Sequence, residues 1–304
     1  MARFYVVGGA NVDVKCHISG AASLATSNPG RVESSVGGVG RNIAENLALL
    51  GVRPKLVTAL GRDAHAELIR ASCAAFELDA LTTPDATGTY TAILDAAGEL
   101  VIAVADMQGI AAIDSGFLQQ SLADVAAGDI VIADANLRAE SLQGLADLAQ
   151  AKQARLVLEP VSVVKSVRLL PILEAKLPVF LMSPNVAQLA ALTGVSGRGQ
   201  TDLEAACLKL HGYNVKSVLV GLGPEGVFWS NGLRSGVVAS QVKHLVDATG
   251  AGDAALAAAL WALSGGVSLR ESAIVGQYAA ARVAECGKSV FADLTPDLLL
   301  KALL

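Results

Sequence analysis

The chain has 304 residues, 53% hydrophobic and 17% charged, with a formal net charge of −5. That is apolar mass for a large core, in one big α/β domain or in one domain with an appendage. The acidic balance, with no block of basic residues, argues against nucleic-acid binding, and no stretch of 18 residues free of charges and turn signals offers a membrane span. Residues 4–7 predict a first buried strand running into the turn Gly8-Gly9, and this apolar run is too short for a signal peptide. Residues 11–36 lack a helical period. Helices are predicted over 41–50 and 64–76, on either side of a strand at 55–59. Residues 87–106 again lack a helical period, and 89–104 reads as two strands around a turn. Strands at 130–133, 155–158, 179–182 and 217–220 then alternate with helices at 117–126, 142–150, 186–192 and 202–210. This alternation predicts an α/β fold of three layers: a mostly parallel central sheet with helices on both faces. Ligands bind such sheets beyond the carboxyl ends of the strands. The segments 12–36 and 87–106 read as one small β-layer, a β-lid within a single domain spanning 1–304.

The densest chemical signal is Asp247-Ala248-Thr249-Gly250-Ala251-Gly252-Asp253, followed by the Ala/Leu run 254–263. That run predicts a buried helix starting at about Gly252. A helix start offers unpaired N–H groups and the positive end of the helix dipole, and two glycines keep bulk away, so the turn suits a phosphate. Asp253, on the first turn, is placed to accept a proton from an attacking hydroxyl. The plainer alternative is an acidic residue favoured by the dipole. The turn Gly221-Leu222-Gly223-Pro224-Glu225-Gly226 follows a predicted strand and could cradle a nucleotide, although a lone glycine-rich turn is a weak signal. Cys16, Cys73, Cys207 and Cys286 form no CxxC and read as reduced thiols of a cytoplasmic protein, and His17, His65, His211 and His244 lack metal-ligand spacing.

The Asp247 to Asp253 run resembles the C-terminal motif of the PfkB/ribokinase family of sugar and nucleoside kinases. The stretch from Gly37-Gly38-Val39-Gly40-Arg41-Asn42 to Gly51 resembles its N-terminal motif, and Gly8-Gly9-Ala10-Asn11-Val12-Asp13 its opening strand and substrate turn. The three motifs span the chain in the family's order. Within the family, Arg41 to Asn46, Val131 to Asn136 and Glu159 to Lys165 look most like the pseudouridine kinase branch. The resemblance implies a ribokinase-like core and ATP-dependent phosphorylation of the ribose 5′-hydroxyl of pseudouridine, with Mg²⁺ and, in some members, a monovalent cation such as K⁺. It implies Asp253 as general base and the N–H groups of Gly250, Ala251 and Gly252 as the anion hole. Asp13, Asn11, Gly38 and Asn42 become sugar contacts, although Asp13 alone could be a turn cap and Asn42 a helix N-cap. Asn185, Gly221, Gly223, Gly226 and Thr249 become nucleotide contacts. The adenine slot falls near Gly276 to Gly287, with Ala279, Ala280 and Cys286 as wall candidates. Lys165 and Arg138 are further cations near the expected site. A homodimer through the lid is left open by the family.

One departure stands out. Ser183-Pro184-Asn185-Val186-Ala187-Gln188 occupies the place of the family's Asn-x-x-Glu, so Gln188 replaces the glutamate associated with Mg²⁺. A neutral amide weakens attraction for a hard cation, which leaves the metal to arrive on ATP. Three alternatives stay open: a kinase of ribose, adenosine or a keto-sugar; a nucleoside-binding protein with impaired catalysis; and a Rossmann dehydrogenase, the last opposed by a first turn without GxGxxG spacing.

Overall fold

A computed structural model describes residues 2–303. Its main sheet has nine strands: β1 (Phe4–Val7), β4 (Lys55–Leu60), β5 (Glu77–Thr82), β8 (Ile130–Asp134), β9 (Arg155–Glu159), β10 (Val179–Met182), β11 (Val215–Gly221), β12 (Val227–Ser230) and β13 (Ser235–Val238), in the order β13-β12-β11-β10-β9-β8-β1-β4-β5. All neighbours from β11 to β5 pair in parallel, while β12 and β13 close one edge antiparallel. β1 and β8 are buried along their whole length, as strands covered on both faces must be. Their side chains alternate between two cores. Tyr5, Val7, Val131 and Ala133 face one helix layer, and Phe4, Val6, Ile130 and Ile132 face the other.

The helices are α1 (Val39–Leu49), α2 (Ala64–Ser72), α3 (Ser115–Ser121), α4 (Ala139–Ala151), α5 (Val163–Ser166), α6 (Leu170–Glu174), α7 (Val186–Thr193), α8 (Gln200–Gly212), α9 (Ala251–Ser264), α10 (Leu269–Cys286) and α11 (Pro296–Leu300). The predicted α/β architecture is present, with helices that differ at their ends. α2 stops at Ser72 rather than 76 because Cys73 turns the chain toward β5, an element the sequence reading missed. α3 covers Ser115–Ser121 rather than 117–126, and its start is capped by Asp114 accepting from Phe117 N–H. α9 is apolar on two sides: Leu256, Ala257 and Leu260 pack toward the sheet, while Ala254, Ala258 and Ala262 meet α10.

The two segments without helical period form a second sheet of four strands: β2 (Asn11–Ile18), β3 (Gly30–Gly37), β6 (Thr89–Leu94) and β7 (Leu100–Asp106), in the order β3-β2-β6-β7. β1 is the switch point of the main sheet, because the chain order runs outward from it in both directions. Its carboxyl end leads directly into β2, so the second sheet stands over the crevice where an open α/β sheet binds its ligands.

Candidate active site

Five segments meet at that crevice: the β1–β2 turn, the start of α1, the carboxyl end of β8, that of β9, and the start of α9. Gly38 is the N-cap of α1 with φ 101°, and a Cβ there would stand 2.5 Å from Gly9 O, so only glycine lets α1 approach the first turn so closely. Gly250 caps α9 with φ 81°, and a Cβ would lie 2.1 Å from Ser289 O. Among the described residues, the N–H groups of Gly250, Gly252 and Asp253 have no protein acceptor, whereas that of Ala251 donates to Ala248 O at 3.1 Å. The open donors at this helix start are therefore Gly250, Gly252 and Asp253. The expected trio is corrected at Ala251, whose N–H is spent in the turn that shapes the cap.

Asp253 lies on the first turn of α9, half-buried, and accepts from Asn42 Nδ2 at 2.9 Å. Its carboxyl is pushed up to about 7, first by burial and then by Asp134 and Asp13; the Asn42 bond opposes them. A carboxyl that titrates near neutrality suits a general base. Asn42 is four residues past the N-cap Gly38, so it is no cap itself and its amide is free to reach across 211 positions to Asp253. Asp13, on β2, accepts from Asn11 Nδ2 at 2.6 Å, and burial raises its pKa. Two residues on, Lys15 is ion-paired with Asp247, joining the second sheet to the turn ahead of α9.

Two further carboxyls, the buried Asp134 and the half-buried Glu159, belong to this site and were missed as functional candidates in the sequence. Asp134 Oδ2 accepts from Gly9 N–H (2.7 Å) and Gly40 N–H (3.1 Å), and Oδ1 accepts from Asn136 N–H (2.9 Å). Glu159, its register partner on β9, accepts from Val161 N–H; burial, then Asp253 and Asp134, raise it well above the ordinary range. The available signal was positional: each is an acid ending an apolar core strand at the sheet's carboxyl edge. Lys165 Nζ donates to Asn136 Oδ1 at 2.6 Å beside them, with its pKa lowered chiefly by burial, while Arg138 is exposed at the start of α4.

Behind the start of α9 opens a cavity of about 520 Å³. Gly221, Gly223 and Gly226 line it, as do Ala251, Gly252, Gly276 and Ala280. Of the expected adenine wall, Ala279 packs instead into the α9–α10 contact and Cys286 stays outside the lining, its Sγ turned to Val283 O. Thr249 is exposed with its hydroxyl on Asp247 Oδ1 at 2.6 Å, and the neighbouring Ala248 takes the place at the wall. Asn185 and Gln188 form a reciprocal capping box on α7: Asn185 Oδ1 accepts from Gln188 N–H (2.9 Å) and Gln188 Oε1 accepts from Asn185 N–H (2.7 Å). Gln188 is 4% exposed, and among the described residues no group of three His, Cys, Asp or Glu could hold a metal. The donor set present does not make a metal cage, and a divalent ion here would depend on phosphate oxygens brought with it. Gln188→Glu keeps the capping acceptor and adds an anionic oxygen. We expect an unchanged melting temperature and half-maximal activity at about fivefold lower free Mg²⁺, the worth of roughly 1 kcal/mol of screened attraction. Coincident Mg²⁺ titrations of the two proteins would remove Gln188 from the metal's surroundings.

A mostly parallel sheet whose switch point carries an open helix N-terminus and a titratable carboxyl suits an α/β enzyme that transfers a phosphoryl group to a small hydroxyl compound. The chain belongs to the pfkB family of carbohydrate kinases, whose model matches residues 1–295. It is 29% identical to a pseudouridine kinase of Escherichia coli (strain K12), over 95% of this chain and 93% of that one. It is 25% identical to a pseudouridine kinase of Arabidopsis thaliana, over 97% and 93%. A carbohydrate kinase from Agrobacterium tumefaciens superposes with a TM-score of 0.85 at 29% identity, covering 100% of this chain and 97% of the other. Arabidopsis thaliana ribokinase complexed with ribose and ATP shares the fold, with a TM-score of 0.84 at 23% identity and coverage of 100% and 99%.

Proposed function

We propose that this chain phosphorylates the ribose 5′-hydroxyl of pseudouridine, with ATP as donor. The observation that carries the kinase chemistry is Asp253. Its carboxyl is pushed up to about 7 and sits on the first turn of a helix whose start leaves the N–H groups of Gly250, Gly252 and Asp253 open. The choice of pseudouridine rests on the likeness to two pseudouridine kinases across nearly the whole chain. In this reading Asp253 takes the proton from the 5′-hydroxyl as its oxygen attacks the γ-phosphorus in line. The N–H groups of Gly250 and Gly252 face the charge that spreads over the transferring oxygens. Asp13, Asn11 and Asn42 hold the ribose hydroxyls, with the backbone at Gly38 close to the ring. The glycine turn Gly221 to Gly226 and the apolar cavity beyond it take the nucleotide. Mg²⁺ neutralises phosphate charge when bound with ATP. The four-stranded sheet acts as a lid over the ribose in a single-domain cytoplasmic enzyme, and its closure limits ATP hydrolysis by water.

Coupled ADP release with pseudouridine, uridine, adenosine, ribose and fructose tests the substrate. Pseudouridine is expected to have the highest kcat/KM, and a higher value for another acceptor replaces it as the substrate. Asp13→Ala is expected to raise KM for the nucleoside by about tenfold or more, since a charged acceptor of hydroxyl hydrogen bonds is worth roughly 1.5 to 3 kcal/mol. KM for ATP should stay within about twofold on the same grounds. Equal losses for both substrates would make Asp13 a residue of the turn rather than of the sugar site.

A further inference from the structure

Arg41 is 5% exposed on the first turn of α1, and its guanidinium is engaged through both terminal nitrogens, while its buried Nε has no partner among the described residues. Nη1 donates to Asn42 Oδ1 and to Val36 O, both at 3.2 Å, and Nη2 lies 2.6 Å from Glu45 Oε2 one turn along. Asn42 in turn donates from Nδ2 to Asp253 Oδ2. A buried ion pair, an amide and the proposed base thus form one line. A primary amide has two orientations of nearly equal shape, one presenting NH₂ and the other C=O. A guanidinium only donates, so it accepts only the orientation that turns Oδ1 toward itself and leaves NH₂ for Asp253. An ionised Asp253 would choose that orientation unaided. A protonated Asp253 would not, because its O–H could donate to a flipped amide carbonyl.

We infer that Arg41 is a positioning residue: it denies Asn42 the flipped orientation, keeps the amide a donor in both protonation states of Asp253, and so favours the ionised base. The inference rests on Asp253 being the base. Val36 belongs to β3, so the same guanidinium ties the orientation of the amide to the root of the second sheet. The groups facing Asp253 make this contact consequential. Asp134 from β8 and Asp13 from β2 raise its proton affinity, as burial does, and Glu159 from β9 is a further acid, whose own proton affinity Asp253 raises. The Asn42 amide from α1 opposes them. Arg41 also lowers the proton affinity of Asp13, so the test has to separate the two routes.

The test is the pH dependence of kcat/KM for the nucleoside, which reports the free enzyme. The variant is Arg41→Met/Glu45→Leu, which leaves neither member of the buried pair alone. The acidic limb is expected to move up by about one pH unit, with activity about eightfold lower at pH 6.5 and nearly restored at pH 9. Asn42→Leu should give the same displacement, and changing Arg41 and Glu45 in that background should add none. A uniform loss of kcat/KM with an unmoved limb overturns the inference, as does a further shift in the Asn42→Leu background, which would mark Asp13 as the route. If the double variant does not fold, Arg41→Gln serves in its place with the same outcomes, because a glutamine amide can itself flip. Asp253→Asn runs beside these variants. Near wild-type turnover there would remove the base itself, whereas loss of turnover there with an unmoved limb in the Arg41 variant defeats only the positioning role.

Discussion

Asp253→Asn is expected to lower turnover by roughly two to four orders of magnitude, the usual worth of a positioned general base. The amide is nearly isosteric and can still accept from Asn42, so KM for either substrate should change little. Wild-type kcat/KM should rise with pH through about 7, where the carboxyl ionises, and the residual activity of the variant should lack that limb. The same substitution has an opposite effect on stability, and its sign follows from the raised pKa. Below about pH 4 the carboxyl is protonated in the folded and unfolded chains alike and favours neither. Between about 4 and 7 the unfolded chain releases the proton while the folded chain retains it, so folding weakens as pH rises, and above 7 the penalty is complete. Asp253→Asn should therefore melt above wild type at pH 8, with the gap closing toward pH 4. Denaturation midpoints across this range, with single-turnover rates, check both halves. Near wild-type turnover would take Asp253 out of the chemistry, and a gap independent of pH would deny that the folded carboxyl is perturbed.

The parallel core was legible because strands covered on both faces are continuous apolar runs, as in the fully buried Phe4–Val7 and Ile130–Asp134. Edge strands carry no such mark. β5 reads Glu-Leu-Asp-Ala-Leu-Thr, partly exposed at one margin of the sheet, and β13 at the other margin reads Ser-Gly-Val-Val, also partly exposed; its neighbour β12 is buried but only four residues long after a glycine turn. The helix end expected at 76 was misplaced because Cys73-Ala74-Ala75 favours continuation, while the buried Phe76 is drawn into the core by packing that propensity does not contain. In the site, Asp253, Asn42 and Asp13 were visible because each stands beside glycines that give local sequence a signature. Their mutual contacts were not, since Asn42 and Asp253 are 211 positions apart and Asp134 reaches Gly9 and Gly40 across 125 and 94. The N–H of Ala251 looked open for the same reason: whether it is used depends on the backbone turn closed by Ala248 O. Asn185 and Gln188 illustrate the converse. Their spacing is that of a capping box as much as of a metal-associated pair, and local helix physics accounts for the bonds they make.

Asp134→Leu is expected to destabilise the fold by about 3 to 6 kcal/mol, because it strands three buried N–H groups, each costing roughly 1 to 3 kcal/mol without an acceptor. Those groups belong to Gly9, Gly40 and Asn136, so one carboxyl holds the β1–β2 turn, the first turn of α1 and the end of β8 in mutual register. Asn42 and Asp13 hang from the first two of these segments, and their reach to the substrate and to Asp253 depends on that register. Asp134→Asn separates charge from scaffold. Its single carbonyl can serve Gly9 and Gly40 together, at the expense of the Asn136 bond, so the loss should be nearer 1 to 3 kcal/mol, about the worth of one unmet buried donor. Burial raises the pKa of Asp134 itself, so the neutral amide also removes a charge that is costly to keep there. That charge is one of the groups holding the proton on Asp253. Asp134→Asn should then move the acidic limb of kcat/KM downward, opposite to the displacement expected on removing Arg41. Urea unfolding gives the stability of both variants, and the pH profile of the amide gives the electrostatic part. An Asn variant as stable as wild type with an unmoved limb would mean that Asp134 is already neutral in the folded protein, acting there as a hydrogen-bonding scaffold without charge.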